Sequence, residues 1–249
     1  MNIHVLNSYE KMSQYAAHMI EAQMQKKHDS VLGLATGGTP EGLYKELIRR
    51  FQEGRVDFKE AETFNLDEYI GLGQAHPQSY SYYMWSRFFS HVNIDRTRIY
   101  LPFSKSAEDT DALAEYDIQL QEVGGIDLQL LGIGQNGHIG FNEPGSFLRA
   151  DTHYVDLSLE TVEANARFFS TEEDVPKQAI TMGMAPILQA RSILLLASGK
   201  TKARAVKEML QSAISPQHPA SFLQLHSSVD LVLDAEAAME LPNRDFVHQ

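Results

Sequence analysis

Cysteine is missing from all 249 residues, which removes disulfides, thiol nucleophiles and Cys-ligated metals from consideration. Cations are scarce: 21 Lys and Arg stand against 33 Asp and Glu, for a formal net charge of −12. A general nucleic-acid partner is thereby opposed, because phosphate backbones are held by clustered Lys and Arg. A local basic pocket for one small anion remains open. No apolar run approaches the length that spans a bilayer, and the stretch from Met1 to Tyr9 carries no basic apolar signal. The expectation is a soluble, cytoplasmic protein with no membrane partner. Repeats, low-complexity tracts and linkers are also absent, so a single α/β domain over residues 1–249 is expected.

What is present concentrates in one stretch, Leu131-Gly132-Ile133-Gly134-Gln135-Asn136-Gly137-His138-Ile139-Gly140-Phe141-Asn142-Glu143-Pro144. Glycines follow an apolar run and let the chain bend sharply while a ligand approaches the backbone. The bend carries an imidazole and a carboxylate, which can exchange protons near neutral pH.

Along the chain, strands are expected at residues 3–6, 31–35, 62–66, 98–101, 126–131, 153–157, 179–181, 192–197 and 229–233. Between them lie helical patterns: one capped by Ser8, another over residues 41–53 with Thr39 as N-cap and Pro40 at the first position. Further helices are expected at 79–89, from Ser106 to about 123, at 159–169, at 184–189 and, led into by Ser198-Gly199-Lys200-Thr201-Lys202, through Leu210. Strands alternating with helices imply a mostly parallel central sheet covered on both faces, a Rossmann-like open sheet. Ligands bind such sheets outside the carboxyl ends of the strands. The polar segments at Thr36, Asp67, Gly134 and Ser198 all follow strands directly, so they should gather on one edge.

Each segment carries its own chemistry. Thr36-Gly37-Gly38-Thr39 precedes a helix whose free N–H groups form an anion site. Ser198-Gly199-Lys200-Thr201 lacks the glycine that a nucleotide P-loop requires, since Leu194 occupies that position. Lys202 and Arg167 can still add positive charge to one phosphate. Asp67 at a strand end is a general base if burial raises its pKa, and otherwise a helix cap or surface acid. No H-E-x-x-H appears to hold a metal, and no G-x-S-x-G elbow to carry a serine nucleophile.

Taken together, Thr36-Gly37-Gly38-Thr39-Pro40, Phe64-Asn65-Leu66-Asp67-Glu68-Tyr69, Gly137-His138-Ile139-Gly140-Phe141-Asn142-Glu143-Pro144 and Ala166-Arg167-Phe168-Phe169 resemble the glucosamine-6-phosphate deaminase (isomerase/deaminase) family. The likeness extends to Lys202 and Leu223-Gln224-Leu225-His226. It implies conversion of glucosamine 6-phosphate and water to fructose 6-phosphate and ammonium, with no metal or organic cofactor. Carried onto this chain, His138 opens the sugar ring, Asp67 moves the proton from C2 to C1, and Glu143 supports His138. Thr36, Gly37, Gly38, Thr39, Arg167 and Lys202 hold the phosphate.

Two departures stand out. Many members of the family carry Asp where this chain has Asn136, which can accept a hydrogen bond from the imidazole but cannot stabilise an imidazolium by charge. Allosteric hexameric members bind N-acetylglucosamine 6-phosphate with an Arg-x-Lys pair; this chain has His153-Tyr154-Val155 there. A homo-oligomer stays open, but an allosteric hexamer is not expected. Competing readings are a galactosamine-6-phosphate deaminase or isomerase, a 6-phosphogluconolactonase, and a non-catalytic sugar-phosphate sensor. The region between Leu157 and Pro176, which carries Arg167, is a lid candidate.

Overall fold

The computed structural model describes residues 1–104, 109–166, 169, 175–211, 213–242 and 247–248. Strand β1 (Asn2–Leu6) leads to Ser8, whose hydroxyl accepts the Lys11 N–H and caps α1 (Tyr9–Lys26). Met12, Ala16, Ile20 and Met24 recur on one face of α1 and are buried, the stripe that a 3.6-residue period produces. Strand β2 (Val31–Leu34) is buried throughout and is followed, after the 36–39 loop, by α2 (Glu41–Gln52). Thr39 is not the cap expected for α2. Pro40 occupies that position without a side-chain bond, and the Tyr9 hydroxyl of α1 accepts the Gly42 N–H at 2.7 Å instead.

Strand β3 (Glu62–Asn65) ends two residues before β4 (Asp67–Tyr69), and α3 (Tyr80–Arg87) and β5 (Ile99–Tyr100) follow. The helix expected to open at Ser106 is α4 (Thr110–Glu122), capped by Asp109 through the Ala112 N–H. Ser106 itself lies outside the described residues. Then come β6 (Leu128–Gly132), β7 (His153–Asp156), α5 (Leu159–Ala166), β8 (Gln178–Thr181), α6 (Met184–Gln189) and β9 (Ser192–Ala197). A short 3-10 turn at Lys200–Lys202 feeds α7 (Ala203–Met209), and β10 (Val229–Asp234) and β11 (Val247–His248) close the chain.

Among the described residues, eight strands form the main sheet in the order β11-β1-β10-β9-β6-β2-β3-β5, and every pairing is parallel. The expected parallel α/β sheet with helices around it is therefore found. Its centre is the apolar run of β9, flanked by β6 and β10. A continuous run of Ile and Leu suits a strand that has no solvent-facing side.

A second sheet was not expected. β4, β8 and β7 pair antiparallel in that order. The Leu66 N–H still reaches the Leu34 carbonyl of β2, while its own carbonyl accepts the Met182 N–H next to β8. The chain thus changes sheets at Leu66 and delivers Asp67 to the junction. Beneath the small sheet lies a separate apolar cluster of Tyr69, Phe141, Leu157, Val162, Val175 and Ala179. No helix among the described residues is long and apolar enough to cross a membrane.

Candidate active site

A cavity of about 860 Å³ opens at the carboxyl ends of β2, β3 and β6. Thr36, Gly37, Gly38, Thr39, Asp67, Asn136, His138 and Lys202 all line it. Glu143 stands behind Asn136 and His138. Arg167 lies outside the described residues.

The 36–39 loop is held from behind by tyrosines. The Tyr83 hydroxyl donates to the Gly37 carbonyl at 2.7 Å, and the Tyr9 hydroxyl approaches the Gly38 and Thr39 carbonyls at 3.2 and 3.0 Å. Tyr44 donates to the Ala35 carbonyl at 2.6 Å. Anchoring these carbonyls fixes the loop at the start of α2, whose N-terminal dipole end favours an anion. Tyr83→Phe removes one anchor without removing the ring. A neutral hydrogen bond contributes about 1 kcal/mol, so KM for a phosphorylated substrate is expected to rise by roughly fivefold with kcat little changed. Steady-state kinetics of that variant check this, and a fall confined to kcat contradicts it.

Asp67 and Glu68 are neighbours with opposite jobs. Glu68 is buried and accepts backbone N–H groups from Tyr69, Tyr80 and Ser81 at 2.8–2.9 Å. It therefore docks the first turn of α3, the capping task that local sequence would as readily assign to Asp67. Asp67 is buried too, yet accepts no hydrogen bond among the described residues. Burial, reinforced by the Glu68 charge, pushes its carboxyl up to about 8. A carboxylate without hydrogen-bond donors, facing a cavity, is poised to take a proton.

The glycine bend brings the imidazole to the same cavity. The Gly134 N–H donates to the His138 carbonyl at 2.9 Å, closing the loop so tightly that the ring covers the Gly134 α-carbon. A Cβ at Gly134 would stand 2.4 Å from the His138 ring. At Gly140, with φ of +58°, a Cβ would meet Thr181 Oγ1 at 3.0 Å and Asp67 Oδ2 at 3.7 Å. A side chain there would be strained by the left-handed backbone and would press on Thr181, so the position favours glycine. The Phe141 N–H donates to Thr181 Oγ1, and the Asn142 amide donates to the Ile139 and Met182 carbonyls. These bonds rivet the bend to β8, the strand that also pairs with Asp67.

His138 Nδ1 is buried and lies 3.6 Å from Glu143 Oε2, an ion-pair separation just beyond hydrogen-bond range. Asn136 does not bond the imidazole as expected from its position. Its carbonyl oxygen accepts the His138 backbone N–H at 3.2 Å, and its amide donates to Glu143 Oε2 at 2.8 Å. Burial opposes ionisation of Glu143, but His138, the Thr161 hydroxyl and the Asn136 amide together hold its carboxyl down to about 2. Glu143 is therefore a carboxylate at any working pH.

Some site residues escaped the sequence reading. Thr161, near the start of α5, donates to Glu143 Oε1 at 2.5 Å. Tyr69, Tyr80, Phe141 and Phe169 form an aromatic wall, with Tyr80 and Phe141 stacked at 6.0 Å and Tyr69 and Phe169 edge to face at 5.9 Å. Tyr69, Phe141 and Phe169 fall within the recognised motifs but carry no assigned role there; Tyr80 is an ordinary core type, and nothing in its spacing marks a cavity. No group of three or more His, Asp or Glu side chains that could hold a metal occurs among the described residues.

A buried carboxylate and a carboxylate-backed imidazole share a cavity at the carboxyl edge of an open parallel sheet. That combination defines an α/β enzyme of acid–base type. Residues 7–232 match the model of the glucosamine-6-phosphate isomerases/6-phosphogluconolactonase family, and the chain belongs to that family. It is 51% identical over 238 residues to a glucosamine-6-phosphate deaminase of Halothermothrix orenii, covering 96% of this chain and 99% of the relative. A solved structure described as a monomeric glucosamine-6-phosphate deaminase superposes with a TM-score of 0.94 at 46% identity, covering 96% of this chain and all of that one. The 6-phosphogluconolactonase from Trypanosoma brucei shares the fold at a TM-score of 0.75 but only 21% identity, covering 97% of this chain and 98% of that one.

Proposed function

We propose that this protein converts glucosamine 6-phosphate and water to fructose 6-phosphate and ammonium, in amino-sugar catabolism, by ring opening, aldose–ketose isomerisation and deamination. The observation that carries the reading is the pairing of two separate acid–base groups in one cavity, Asp67 on one loop and His138 with Glu143 on another. The phosphate binds to Thr36, Gly37, Gly38 and Thr39 at the start of α2, with Lys202 and Arg167 supplying charge. Fixing that end of the substrate orients the reacting carbons and can contribute several kcal/mol to the barrier reduction.

His138 carries a proton between the C1 hydroxyl and the ring oxygen O5, so the C1–O5 bond breaks and an aldehyde forms. Glu143 stabilises the imidazole while it is protonated. Asp67 then removes the C2 proton and returns it to C1, which moves the carbonyl character to C2 as an imine. Water adds to the imine carbon and ammonia leaves, taking up a proton to become ammonium. No cofactor is required by these steps. The protein acts as a single α/β domain in the cytoplasm, with a small-molecule partner.

Ammonium release from glucosamine 6-phosphate tests the reading, with galactosamine 6-phosphate and 6-phosphogluconolactone as parallel substrates. Turnover of the first is expected. Folded protein inactive on it while turning over either of the others overturns the assignment.

The allosteric cations are replaced by residues with other tasks. His153 Nδ1 lies 2.8 Å from the Asp151 carbonyl and Tyr154 donates to the Asp109 carbonyl at 2.7 Å. Hyperbolic kinetics unaltered by N-acetylglucosamine 6-phosphate are expected. A sigmoidal curve straightened by that ligand contradicts this and the absence of an allosteric hexamer.

A further inference from the structure

Glu143 is held by two donors from different parts of the chain. Asn136, within the glycine bend, takes Oε2 at 2.8 Å; Thr161, on α5, takes Oε1 at 2.5 Å. The Thr161 hydroxyl does not stand alone. The Ser158 hydroxyl donates to Thr161 Oγ1 at 3.0 Å, and the Thr161 N–H donates back to Ser158 Oγ at 3.2 Å. The Val162 N–H meets the Ser158 carbonyl at 2.9 Å, so Ser158 starts α5 in the manner of an N-cap. A hydroxyl relay therefore runs from the helix start through Thr161 to the carboxylate.

A carboxylate rotates freely unless both oxygens are engaged, and His138 Nδ1 depends on where Oε2 lies. With Oε1 tied to α5 and Oε2 to Asn136, the plane of the carboxylate is fixed with Oε2 toward the imidazole. Thr161 is 4% exposed and lines the cavity, while Leu157 and Val162 on either side of it are buried in the apolar cluster under the small sheet. The hydroxyl is thus pinned by packing as well as by Ser158. Charge-assisted hydrogen bonds of this kind are stronger than neutral ones, and outer partners of a reacting group govern its orientation.

We propose that Thr161 is a positioning residue for the ring-opening step, using its hydroxyl to orient Glu143 toward His138 and so coupling the placement of α5 to acid–base competence. The proposal rests on the deaminase reading above and deepens it. Because Asn136 is uncharged, Glu143 is the carboxylate that faces the imidazole, and its orientation decides how that charge meets His138. Thr161 touches neither the sugar nor the reacting atoms in this role; it acts through Glu143.

Thr161→Val retains shape and removes the hydroxyl, and Thr161→Ser retains the hydroxyl and removes the methyl. For Thr161→Val, kcat on cyclic glucosamine 6-phosphate is expected to fall by about tenfold or more, the consequence of a misplaced catalytic group. KM should stay within about twofold, because the phosphate loop is untouched. The acyclic 2-amino-2-deoxy-glucitol 6-phosphate, which needs no ring opening, should bind the variant as it binds wild type. Thr161→Ser should recover most of kcat. Wild-type kcat in Thr161→Val overturns the proposal, as do equal losses in both variants or weakened binding of the acyclic ligand, which signal a packing role. Wild-type protein that releases no ammonium overturns the deaminase reading itself, and with it any ring-opening role for Thr161. Active wild type with an unaffected Thr161→Val overturns only the role of Thr161.

Discussion

Asp67→Asn is expected to abolish exchange of the substrate C2 proton with solvent, lowering turnover by about 10³-fold, within the range for a lost general base. Substrate binding should remain measurable, because the 36–39 loop and Lys202 are untouched. The amide fits the same space and has no charge to remove a proton with. Proton NMR in deuterated water follows the exchange directly; retained exchange removes Asp67 from the mechanism.

The same substitution should stabilise the fold. Asp67 stands at about 8, against an ordinary value of 3.8. The folded chain holds this proton more tightly than the unfolded chain does. The group therefore favours folding below the ordinary carboxyl range and loses that contribution as pH rises from there to about 8. Above about 8 the buried charge costs the wild type stability that Asn does not forfeit. A higher melting temperature for Asp67→Asn at alkaline pH, in a variant that has lost its activity, is the expected result. A lower one means that Asp67 is not a buried, strained carboxylate. For the wild type, C1 proton exchange of fructose 6-phosphate, a substrate without an amine, should rise with pH and level off above about 8, as the base becomes ionised.

His138→Asn is expected to slow turnover of cyclic glucosamine 6-phosphate by roughly 10²-fold or more, the usual scale for removing a proton shuttle. The acyclic keto form of fructose 6-phosphate should still exchange its C1 proton at a rate much closer to wild type, because Asp67 does that work. Glu143→Gln should produce the same pattern in weaker form, since the imidazole remains but its charged partner is gone. Equal losses on both reactions, for either variant, sink the ring-opening role. The two carboxylates are thus set apart by surroundings alone: one has no donors and is pushed up, the other is surrounded by donors and held down.

How far the chain spelled this out varies by residue. The parallel sheet was legible, because runs such as 192–197 and 229–233 are dominated by Ile, Leu and Val, and helical periods separate them. The small antiparallel sheet was not. Its first strand, Asp67–Tyr69, is three residues long, follows β3 directly and is rich in charge, so no alternation distinguishes it from a loop. The Thr39 cap failed for a tertiary reason, since the donor it should have satisfied is taken by Tyr9 from another helix. The segments bearing Asp67, His138 and the 36–39 loop were placed together because each follows a strand and strand ends converge on one edge; the role of Asp67 came from the family resemblance, since its local sequence reads as readily as a cap. Thr161 was hidden. It reads as an ordinary polar residue in the first turn of a helix, and only the packing of α5 brings its hydroxyl to Glu143. Asn136 was recognised, but its partner was mistaken: the amide meets the carboxylate rather than the ring.

Glucosamine 6-phosphate carrying deuterium at C2 tests the central claim most directly. C2 becomes the ketone carbon, so the label must leave it in every turnover. The expected result is ammonium and fructose 6-phosphate in equal amounts, with the deuterium divided between C1 and water. Ammonium released into a product that keeps deuterium at C2 would contradict the account.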